Sequence, residues 1–433
     1  MCSPYAANCR WFSPFHIKSS SEKSDIEPGS FRSRRSSRKN LSLLLRTDAA
    51  VKAIRRKANS SKYTNLWPKA VLEALDDAIE LNHWESALKI FSLLRKQQWY
   101  EPKCRAYTML LLMLGRCKLP DEAGVLFDTL LSDGLRPTLD VYTALVTAYS
   151  SGGLLEKAML IVDEMKNPPP DAFTYSPIIK SCFEHGRLGA IPSVLDRMSA
   201  SGIERTGVTF NILIDGYGKA RRFGAMERRL GEMIEAGICP DVYTFNSVVG
   251  AYGRCGMIGE MERRFDEFRA MGLNPDAVTC NTMIRSYGLR GMHDKMMNVR
   301  EFMRKRFISP TVATYNAVIE AYGRAGNVEK MEEVFLEMKE GGLKPNKVTY
   351  TSAVKGYGRA KEKGLKGVGS VVRQVENNGD AALDTGFFNC AMEAYGNGGD
   401  LEGMMELFRG MARFGCEPDH VSFAVVRKHG VDL

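Results

Sequence analysis

Four asparagines recur at an interval of 35 residues in this chain of 433 residues. The recurring residues are Asn211, Asn246, Asn281 and Asn316. Each one lies near the start of a similar segment, for example FNILIDGYGKA at 210–220 and YNAVIEAYGRA at 315–325. A side-chain amide both donates and accepts hydrogen bonds, and a packed core does not need such a group at a fixed interval. The interval therefore predicts a repeat architecture, and the polar residues at the repeating positions indicate a function.

Each repeat predicts a pair of amphipathic helices. In residues 207–241, apolar side chains lie at helical spacings from Phe210 to Tyr217 and again from Phe223 to Met233. Gly237 and Pro240 are typical of the end of the second helix. Neither helix can bury its apolar face alone, so neighbouring units must stack. We expect an all-α fold, a right-handed α-solenoid of about ten helical hairpins of about 35 residues each, with the first helices lining its inner face.

The repeat register divides the chain into domains. Residues 1–60 are expected to form a basic leader, 61–103 the N-terminal capping helices with a degenerate first repeat, 104–419 the repeat array, and 420–433 a partial C-terminal helix. The units are expected at about 69–103, 104–138, 139–171, 172–206, 207–241, 242–276, 277–311, 312–346, 347–384 and 385–419. The third unit is shortened near NPPPD, and the ninth is lengthened around KEKGLKG.

The basic charge of the chain is concentrated in its leader. Residues 1–60 hold 13 Lys and Arg against four acids, which accounts for the whole formal charge of +9. The rest of the sequence holds 47 basic and 47 acidic residues, so any nucleic-acid argument must rest on where these charges lie. A serine-rich, basic segment that is poor in acids is typical of an organellar transit peptide. The uncharged start MCSPYAANC favours the chloroplast stroma over the mitochondrion, and a disordered basic tail is the alternative.

Several other classes of protein find little support in the sequence. The longest apolar run, MLLLML at 109–114, is far shorter than the roughly 20 residues of a membrane span. The ten cysteines contain no CxxC pair and the six histidines are scattered, so no metal site, cofactor or catalytic residue is predicted. Only a few residues follow the last repeat, so we expect no added catalytic domain. We therefore expect a protein that is not an enzyme, with structural thiols in a reduced compartment.

The repeat motifs resemble those of the P-class pentatricopeptide repeat family of plant organelles. The resemblance is carried by VTFN…GYGKA…MIEAGICPD and ATYNAVIEAYGRAG…MKEGGLKPN, and it extends over residues 69–419. The tetratricopeptide repeat has a similar period and binds proteins, but its Trp-Leu-Gly-Tyr-Ala-Phe-Pro pattern is absent. The resemblance implies a monomer that binds single-stranded organellar RNA, one base per repeat, without a membrane or a small-molecule substrate.

The resemblance also implies which residues read each base. They are the polar residue after a Thr-aromatic pair, called the reader below, and the last residue of the unit. The pairs are Thr143 with Asp171, Asn211 with Asp241, Asn246 with Asp276, Asn316 with Asn346, Thr351 with Asp384, and Asn389 with Asp419. The pairs outside the family's code are Thr108 with Thr138, Ser176 with Thr206, and Asn281 with Thr311. An alternative is structural: an early Asn can cap its helix, and the last residue can cap the next helix.

The family's code converts these pairs into an expected RNA sequence. Thr with Asp favours G, Asn with Asp favours U, and Asn with Asn favours C and then U. Read parallel to the RNA from the second unit, the pairs predict 5′-N-G-N-U-U-Y-C/U-G-U-3′. The first unit has Glu73 at the reader position and is expected to cap the stack.

Two further sets of residues are expected to support RNA binding. Apolar residues three positions before the readers would lie between bases, with core packing as the alternative: Phe173, Val208, Tyr243, Val278 and Val348. Basic residues at the end of the first helices could face phosphates, with solvated turn charges as the alternative: Arg116, Lys219, Arg254, Arg324 and Arg359. The repeated tyrosines, such as Tyr252 and Tyr287, are expected to pack between hairpins.

These expectations favour a non-enzymatic RNA-binding factor that acts on plastid transcripts by occupying them. Group II intron splicing, together with other splicing or processing factors, is the first hypothesis. Ribosomal RNA processing, mRNA end protection and translation are alternatives with the same mechanism. A protein-interaction scaffold and an RNA-processing enzyme are the alternatives from other classes.

Overall fold

The computed structural model describes residues 68–97, 100–378 and 384–430, and these residues form α-helices without strands. We number the helices in chain order. They are α1 (Pro68–Glu80), α2 (Trp84–Leu94), α3 (Cys104–Arg116), α4 (Pro120–Ser132), α5 (Leu139–Ser151), α6 (Leu155–Glu164), α7 (Ala172–Glu184), α8 (Ile191–Ala200), α9 (Gly207–Lys219), α10 (Phe223–Glu235), α11 (Val242–Cys255), α12 (Ile258–Ala270), α13 (Ala277–Leu289), α14 (His293–Lys305), α15 (Val312–Arg324), α16 (Val328–Glu340), α17 (Lys347–Arg359), α18 (Leu365–Asn378), α19 (Thr385–Gly398), α20 (Leu401–Gly410) and α21 (His420–Lys428). The expected transit peptide lies outside the described residues.

The helices stack as the α-solenoid that the repeat predicts. Each odd-numbered helix from α1 to α19 packs against the even-numbered helix that follows it, and this pair is one hairpin. Each odd-numbered helix also packs against the odd-numbered helix of the next hairpin. The first helices therefore form one continuous layer, and the second helices cover one side of it. The fold class expected from the sequence is confirmed.

A capped helix start forms the junction between successive repeats. Pro240 cannot continue a helix, and Asp241 is the N-cap of α11. The Asp241 carboxylate accepts the backbone N–H of Thr244 at 2.8 Å, and the Thr244 hydroxyl accepts the N–H of Asp241 at 3.2 Å. This reciprocal pair of bonds is a capping box, and the same arrangement begins α7, α9, α13, α15, α17 and α21. The last residue of these units is thus an N-cap, as the structural alternative proposed.

The ends of the second helices need a residue with a left-handed backbone. Gly237 follows α10 with a φ of 74°, and Gly272 follows α12 with a φ of 87°. Glycine adopts this conformation without the steric cost that a Cβ atom brings. The chain then turns back through a proline-containing segment to the next first helix.

The repeated tyrosines link neighbouring hairpins, as expected. Tyr252, Tyr287 and Tyr357 are almost completely buried. Each hydroxyl donates a hydrogen bond to a glutamate on the second helix of the preceding repeat: Glu227, Glu262 and Glu332. Burial is the main cause that raises the pKa of Tyr287, so the phenol stays protonated and remains a donor. These bonds hold successive repeats at a fixed distance and therefore position the residues of the first-helix layer.

Candidate nucleic-acid interface

Each reader residue lies in the second turn of a first helix. Asn211 is the fifth residue of α9. Six other readers hold the fifth position of α5, α11, α13, α15, α17 and α19: Thr143, Asn246, Asn281, Asn316, Thr351 and Asn389. The partner of each reader is the N-cap of the next first helix: Asp171, Asp241, Asp276, Thr311, Asn346, Asp384 and Asp419. The asparagines are therefore not helix caps, because the caps lie at other positions.

Stacking of the first helices brings the asparagine readers into contact with their partners. The Nδ2 atom of Asn211 lies 3.3 Å from both carboxylate oxygens of Asp241. The corresponding distances are 3.2 and 3.3 Å for Asn246 with Asp276 and 3.1 Å for Asn389 with Asp419. The off-code partner Thr311 receives the same bond from Asn281 at 3.2 Å, and Asn346 receives one from Asn316 at 3.3 Å. One such contact therefore forms at each of five repeat junctions.

A hydroxyl group from the third position of the next first helix completes each of these contacts. Thr244 donates its hydroxyl hydrogen to Oδ1 of Asn211, with the two oxygens 2.6 Å apart. The same bond is donated by Thr279, Thr314, Thr349 and Ser422 to the readers Asn246, Asn281, Asn316 and Asn389. These hydroxyl residues are at most 1 % exposed. Sequence reasoning missed them, although threonines recur at the same 35-residue interval from Thr209 to Thr349.

The network sets the orientation of each reader amide that faces a carboxylate. A carboxylate only accepts hydrogen bonds, so Nδ2 of Asn211 must point to Asp241 and Oδ1 must point to Thr244. Asn211 then retains one N–H and one acceptor lone pair for a ligand. The Oδ1 atom of Asp241 caps α11, while the hydrogen bond to its Oδ2 atom comes from Asn211. Oδ2 therefore keeps acceptor capacity for a ligand.

Hydrogen bonds keep two of these carboxylates ionised. Burial by itself would raise the pKa of Asp276, but the hydrogen bonds from the backbone N–H of Thr279 and from the amide of Asn246 outweigh it and lower the pKa. The pKa of Asp419 is lowered chiefly by the backbone N–H of Ser422 and then by the amide of Asn389. Both side chains are negatively charged acceptors at neutral pH.

The two pairs of a threonine reader with an aspartate have a different geometry. The Thr351 hydroxyl donates to the backbone oxygen of Lys347 at 2.8 Å, and Lys347 also forms an ion pair with Asp384. The hydrogen bond from Lys347 is the main cause that lowers the pKa of Asp384. Phe387 stands where the five asparagine junctions have a hydroxyl. The hydroxyl of Thr143 lies 3.4 Å from that of Thr174. Thr143 thus faces the capping threonine, whereas the asparagine readers also donate to the N-cap residue.

The last reader differs from the others in exposure. Asn389 is only 7 % exposed, whereas Asn211, Asn246, Asn281 and Asn316 are all half-buried. A ligand would therefore have less access to Asn389 than to the preceding four asparagines.

The five apolar residues before the readers lie on the surface. Phe173, Val208, Tyr243, Val278 and Val348 are between 47 and 59 % exposed, so the alternative of core packing does not describe them. Val421 holds the same position in α21 and is 40 % exposed. It was missed because no reader pair follows it, but its place in the register could have identified it. Contact of these side chains with bases remains a prediction.

The five basic residues at the ends of the first helices have different surroundings. Arg116 donates to the side-chain oxygen of Asn82 at 2.8 Å and to the backbone oxygen of Ile79 at 3.1 Å, so it ties two repeats together. Lys219 pairs with Asp215 at 2.6 Å, and Arg324 pairs with Glu320 at 2.8 Å. Arg254 and Arg359 are exposed and form no ion pair with a described residue. These two side chains therefore have no such ion pair that would compete with a phosphate.

Replacing Arg254 with Ala is expected to weaken binding of all RNAs to a similar extent. A phosphate contact carries no base information, and its loss should reduce the slope of log K against log salt by about 0.7. Titrations with several RNAs at three salt concentrations check this. Arg197→Ala on α8 is the control, since it removes the same charge from the second-helix layer. Equal losses for the two variants would contradict a specific place for Arg254.

Other kinds of site have little support in the described residues. No group of three or more His, Cys, Asp and Glu residues is arranged to hold a metal ion within them. Burial raises the pKa of the Cys280 thiol to about 11, so it is not a reactive thiolate at neutral pH. None of the described helices combines the length and apolar character needed to cross a bilayer.

The fold and the row of reader contacts define a helical-hairpin repeat protein with a polar, periodic face. Residues 170–219, 205–254 and 310–359 match the PPR repeat family, and residues 263–325 match the pentatricopeptide repeat domain. Residues 140–167, 243–273 and 387–416 match the PPR repeat. These segments together cover more than half of the sequence. The chain belongs to the pentatricopeptide repeat family.

Several relatives share parts of the sequence. A pentatricopeptide repeat-containing protein of Arabidopsis thaliana is 55 % identical over 186 residues, which is 42 % of this chain and 42 % of the relative. A second Arabidopsis thaliana member, named as chloroplastic, is 41 % identical over 188 residues, or 43 % of this chain and 36 % of the relative. The match thus spans about two fifths of the length of these relatives.

Two solved structures align with most of this chain. PPR10 in complex with an 18-nucleotide psaJ RNA element aligns with 89 % of this chain and 65 % of its own chain, at 22 % identity and a TM-score of 0.46. Yeast Rmd9p in complex with a 16-nucleotide target RNA aligns with 89 % of this chain and 76 % of its own, at 11 % identity and a TM-score of 0.34.

Proposed function

We propose that this chain is a sequence-specific factor that binds single-stranded RNA in an organelle, one base per repeat. The observation that carries the proposal is the contact between an asparagine reader and the N-cap of the next first helix, repeated at five junctions. Each contact leaves unused donors and acceptors on the same layer of helices, and the first four contacts recur every 35 residues. Such an array suits a polymer with one hydrogen-bonding edge per unit.

The N-cap residue would distinguish uracil from cytosine. Uracil presents an N–H donor at ring nitrogen N3, while cytosine presents an acceptor there. The Oδ2 atom of Asp276 can accept the uracil N–H because its Oδ1 atom is occupied by the helix cap. In Asn346 the cap also occupies Oδ1, which accepts the backbone N–H of Thr349 at 3.1 Å. Asn346 therefore presents Nδ2, a donor that suits cytosine.

The contact between Asn281 and Thr311 explains why this unit would discriminate less. Thr311 and Thr314 are both hydroxyl residues, and a hydroxyl can donate or accept. The Asn281 amide can therefore turn over and still satisfy both partners. Because either edge of the amide can face a base, we propose a weak pyrimidine preference for the 277–311 unit.

The 347–384 unit is proposed to read its base weakly. A base that reaches Asp384 must compete with the ammonium group of Lys347, and Thr351 is already bonded to the backbone. The guanine preference expected from Thr351 with Asp384 would then contribute less than the uracil preference of the 207–241 and 242–276 units.

Exposed apolar and basic side chains would supply affinity. Phe173 and Tyr243 present aromatic rings beside the readers, and stacking of a base on an aromatic ring contributes about 1–3 kcal/mol. Arg254 and Arg359 would contact the phosphates. The described array holds little excess charge, so these contacts must provide attraction locally.

We place the protein in plastid RNA metabolism, where it would act by occupying one RNA segment without catalysis. Two observations support a plastid localisation. Some similar relatives are named as chloroplastic, and the leader has the composition of a transit peptide. Group II intron splicing is the step that we favour, since an occupied segment can be held single-stranded while the intron folds. Ribosomal RNA processing, mRNA end protection and translation would use the same mechanism.

Mobility-shift titration of purified residues 61–433 tests this function. The basic leader is left out because its charge would bind any RNA. The probe is a nine-nucleotide RNA of the predicted sequence, and a scrambled RNA of the same composition is the control. Tighter binding of the predicted sequence is expected. Equal binding of both would remove the base-reading mechanism, and binding of neither would favour the protein scaffold.

A further inference from the structure

We propose that the buried hydroxyl at the third position of a first helix determines the base specificity of the preceding repeat. The residues are Thr244, Thr279, Thr314, Thr349 and Ser422, each of which contacts the asparagine reader of the repeat before it. The inference rests on the proposed RNA-reading function. It makes each asparagine unit a reader of three residues, in which the third holds the first in position without touching the RNA.

The hydroxyl of Thr244 makes the shortest contact that holds Asn211. It lies 2.6 Å from Asn211 Oδ1, whereas the Asp241 oxygens lie 3.3 Å from Asn211 Nδ2. The same hydroxyl oxygen accepts the N–H of Asp241 and lies 2.9 Å from its Oδ1 atom. Because Thr244 is fully buried, water cannot take the place of this hydroxyl if it is removed.

The orientation of the reader amide decides what a base encounters. Turning the Asn211 side chain over exchanges its N–H for an oxygen, so a donor becomes an acceptor at the same point. Asp241 opposes the turned state because a carboxylate cannot donate to the amide oxygen, but its contacts with Nδ2 are long for a hydrogen bond. Thr244 holds the amide in place through its shorter contact with Oδ1, and its loss leaves the amide held on one side only.

Two junctions of the same chain show that the contact with a reader depends on the type of the reader. Thr209 forms a capping box with Thr206, but the reader of that repeat, Ser176, donates to the backbone oxygen of Ala172 at 2.9 Å instead. Phe387 replaces the hydroxyl in α19, and the reader there is Thr351, which bonds to its own helix. A short contact between hydroxyl and reader thus accompanies an asparagine reader.

The test compares Thr244→Val with two matched variants of the same chain. Valine has nearly the shape of threonine and removes the hydroxyl. Thr244→Ser keeps the hydroxyl, as Ser422 does in α21. Thr209→Val removes a hydroxyl from an equivalent capping box that has no contact with a reader. The measurements are thermal unfolding and the affinities of four RNAs that differ only at the nucleotide read by the 207–241 unit.

Thr244→Val is expected to reduce the preference for uracil over the other bases by roughly 2- to 10-fold, the effect of one hydrogen bond. Thr209→Val should lower the melting temperature by a similar amount and leave this preference unchanged. Thr244→Ser should keep the wild-type preference. Thr244→Val could also keep the wild-type preference while its melting temperature falls as much as that of Thr209→Val. In that case the hydroxyl is only part of a helix cap and the inference is wrong.

A measurement on the free protein separates this inference from the RNA-binding function. With asparagine labelled selectively, the side-chain N–H groups of Asn211 should exchange with water faster in Thr244→Val than in Thr244→Ser or Thr209→Val. Unchanged exchange would overturn the positioning role whatever the protein binds. If the wild type showed no base preference but the exchange differed as expected, the proposed function would fail and the positioning contact would stand without a role in specificity.

Discussion

Replacing Asp276 with Asn is expected to change the preference of the 242–276 unit from uracil to cytosine. The two side chains have the same shape, and both are good N-caps, so Oδ1 should still accept the N–H of Thr279. The atom that remains for the base changes from a carboxylate oxygen to an amide nitrogen. An acceptor for the uracil N–H thus becomes a donor for cytosine. We expect a change in discrimination of about 1–3 kcal/mol, or roughly 5- to 150-fold.

Competition binding with RNAs that carry U or C at this nucleotide checks the change. In the reciprocal variant Asn346→Asp, the preference of the 312–346 unit should change towards uracil. The reader Asn316 contacts position 346 as Asn246 contacts position 276, and the new carboxylate can accept the uracil N–H. Preference at the neighbouring nucleotides should not change in either variant. Loss of affinity for both bases to the same degree would argue against Asp276 as a reader and for a purely structural cap.

Replacing Asn246 with Thr is expected to change the preference of the same unit from uracil towards guanine. Threonine is shorter, and a threonine at this position bonds to the backbone oxygen four residues earlier, as Thr351 does to Lys347 and Thr108 does to Cys104. The withdrawn side chain leaves space for a larger base. Asp276 remains an acceptor, which suits the ring N–H of guanine. We expect a change of about 1–3 kcal/mol in discrimination.

Little change in stability is expected for Asn246→Thr, because Asn246 is half-buried and lies outside the apolar core. Affinities for the four RNAs that vary at this nucleotide, measured beside thermal unfolding, separate the two effects. Asn281→Thr is a useful comparison, since its partner Thr311 cannot supply a carboxylate and should give no gain for guanine. An unfolded Asn246→Thr protein, or one that still prefers uracil, would contradict the assignment.

Local signals in the sequence were sufficient to predict where the helices of the array begin and end. The first helices α9, α11, α13 and α15 begin 35 residues apart because an N-cap and a threonine three residues later recur at that interval. Glycines such as Gly237 and the prolines before the caps end the second helices. These signals act within a few residues, so they can be recognised without knowledge of the fold.

The arrangement within the site depended on contacts between repeats. Asn211 and Asp241 are 30 residues apart, and they meet only because α9 packs against α11. The sequence indicated Thr351 with Asp384 as a reader pair of the same kind, but the structure pairs Asp384 with Lys347. This ion pair depends on the positions of two helix starts and leaves no periodic signal.

The sequence alone determined the period and the helical hairpins, and its family resemblance indicated the asparagine pairs. The tertiary structure decided how each polar group is used: which oxygen caps a helix, which hydroxyl holds the reader, and which donors and acceptors stay unused. The physical reason is that a capping box and an amphipathic helix form within one turn or one hairpin, whereas the hydrogen-bond inventory of Asn211 is divided among residues of two helices. Only stacking of the repeats brings those residues within hydrogen-bonding distance.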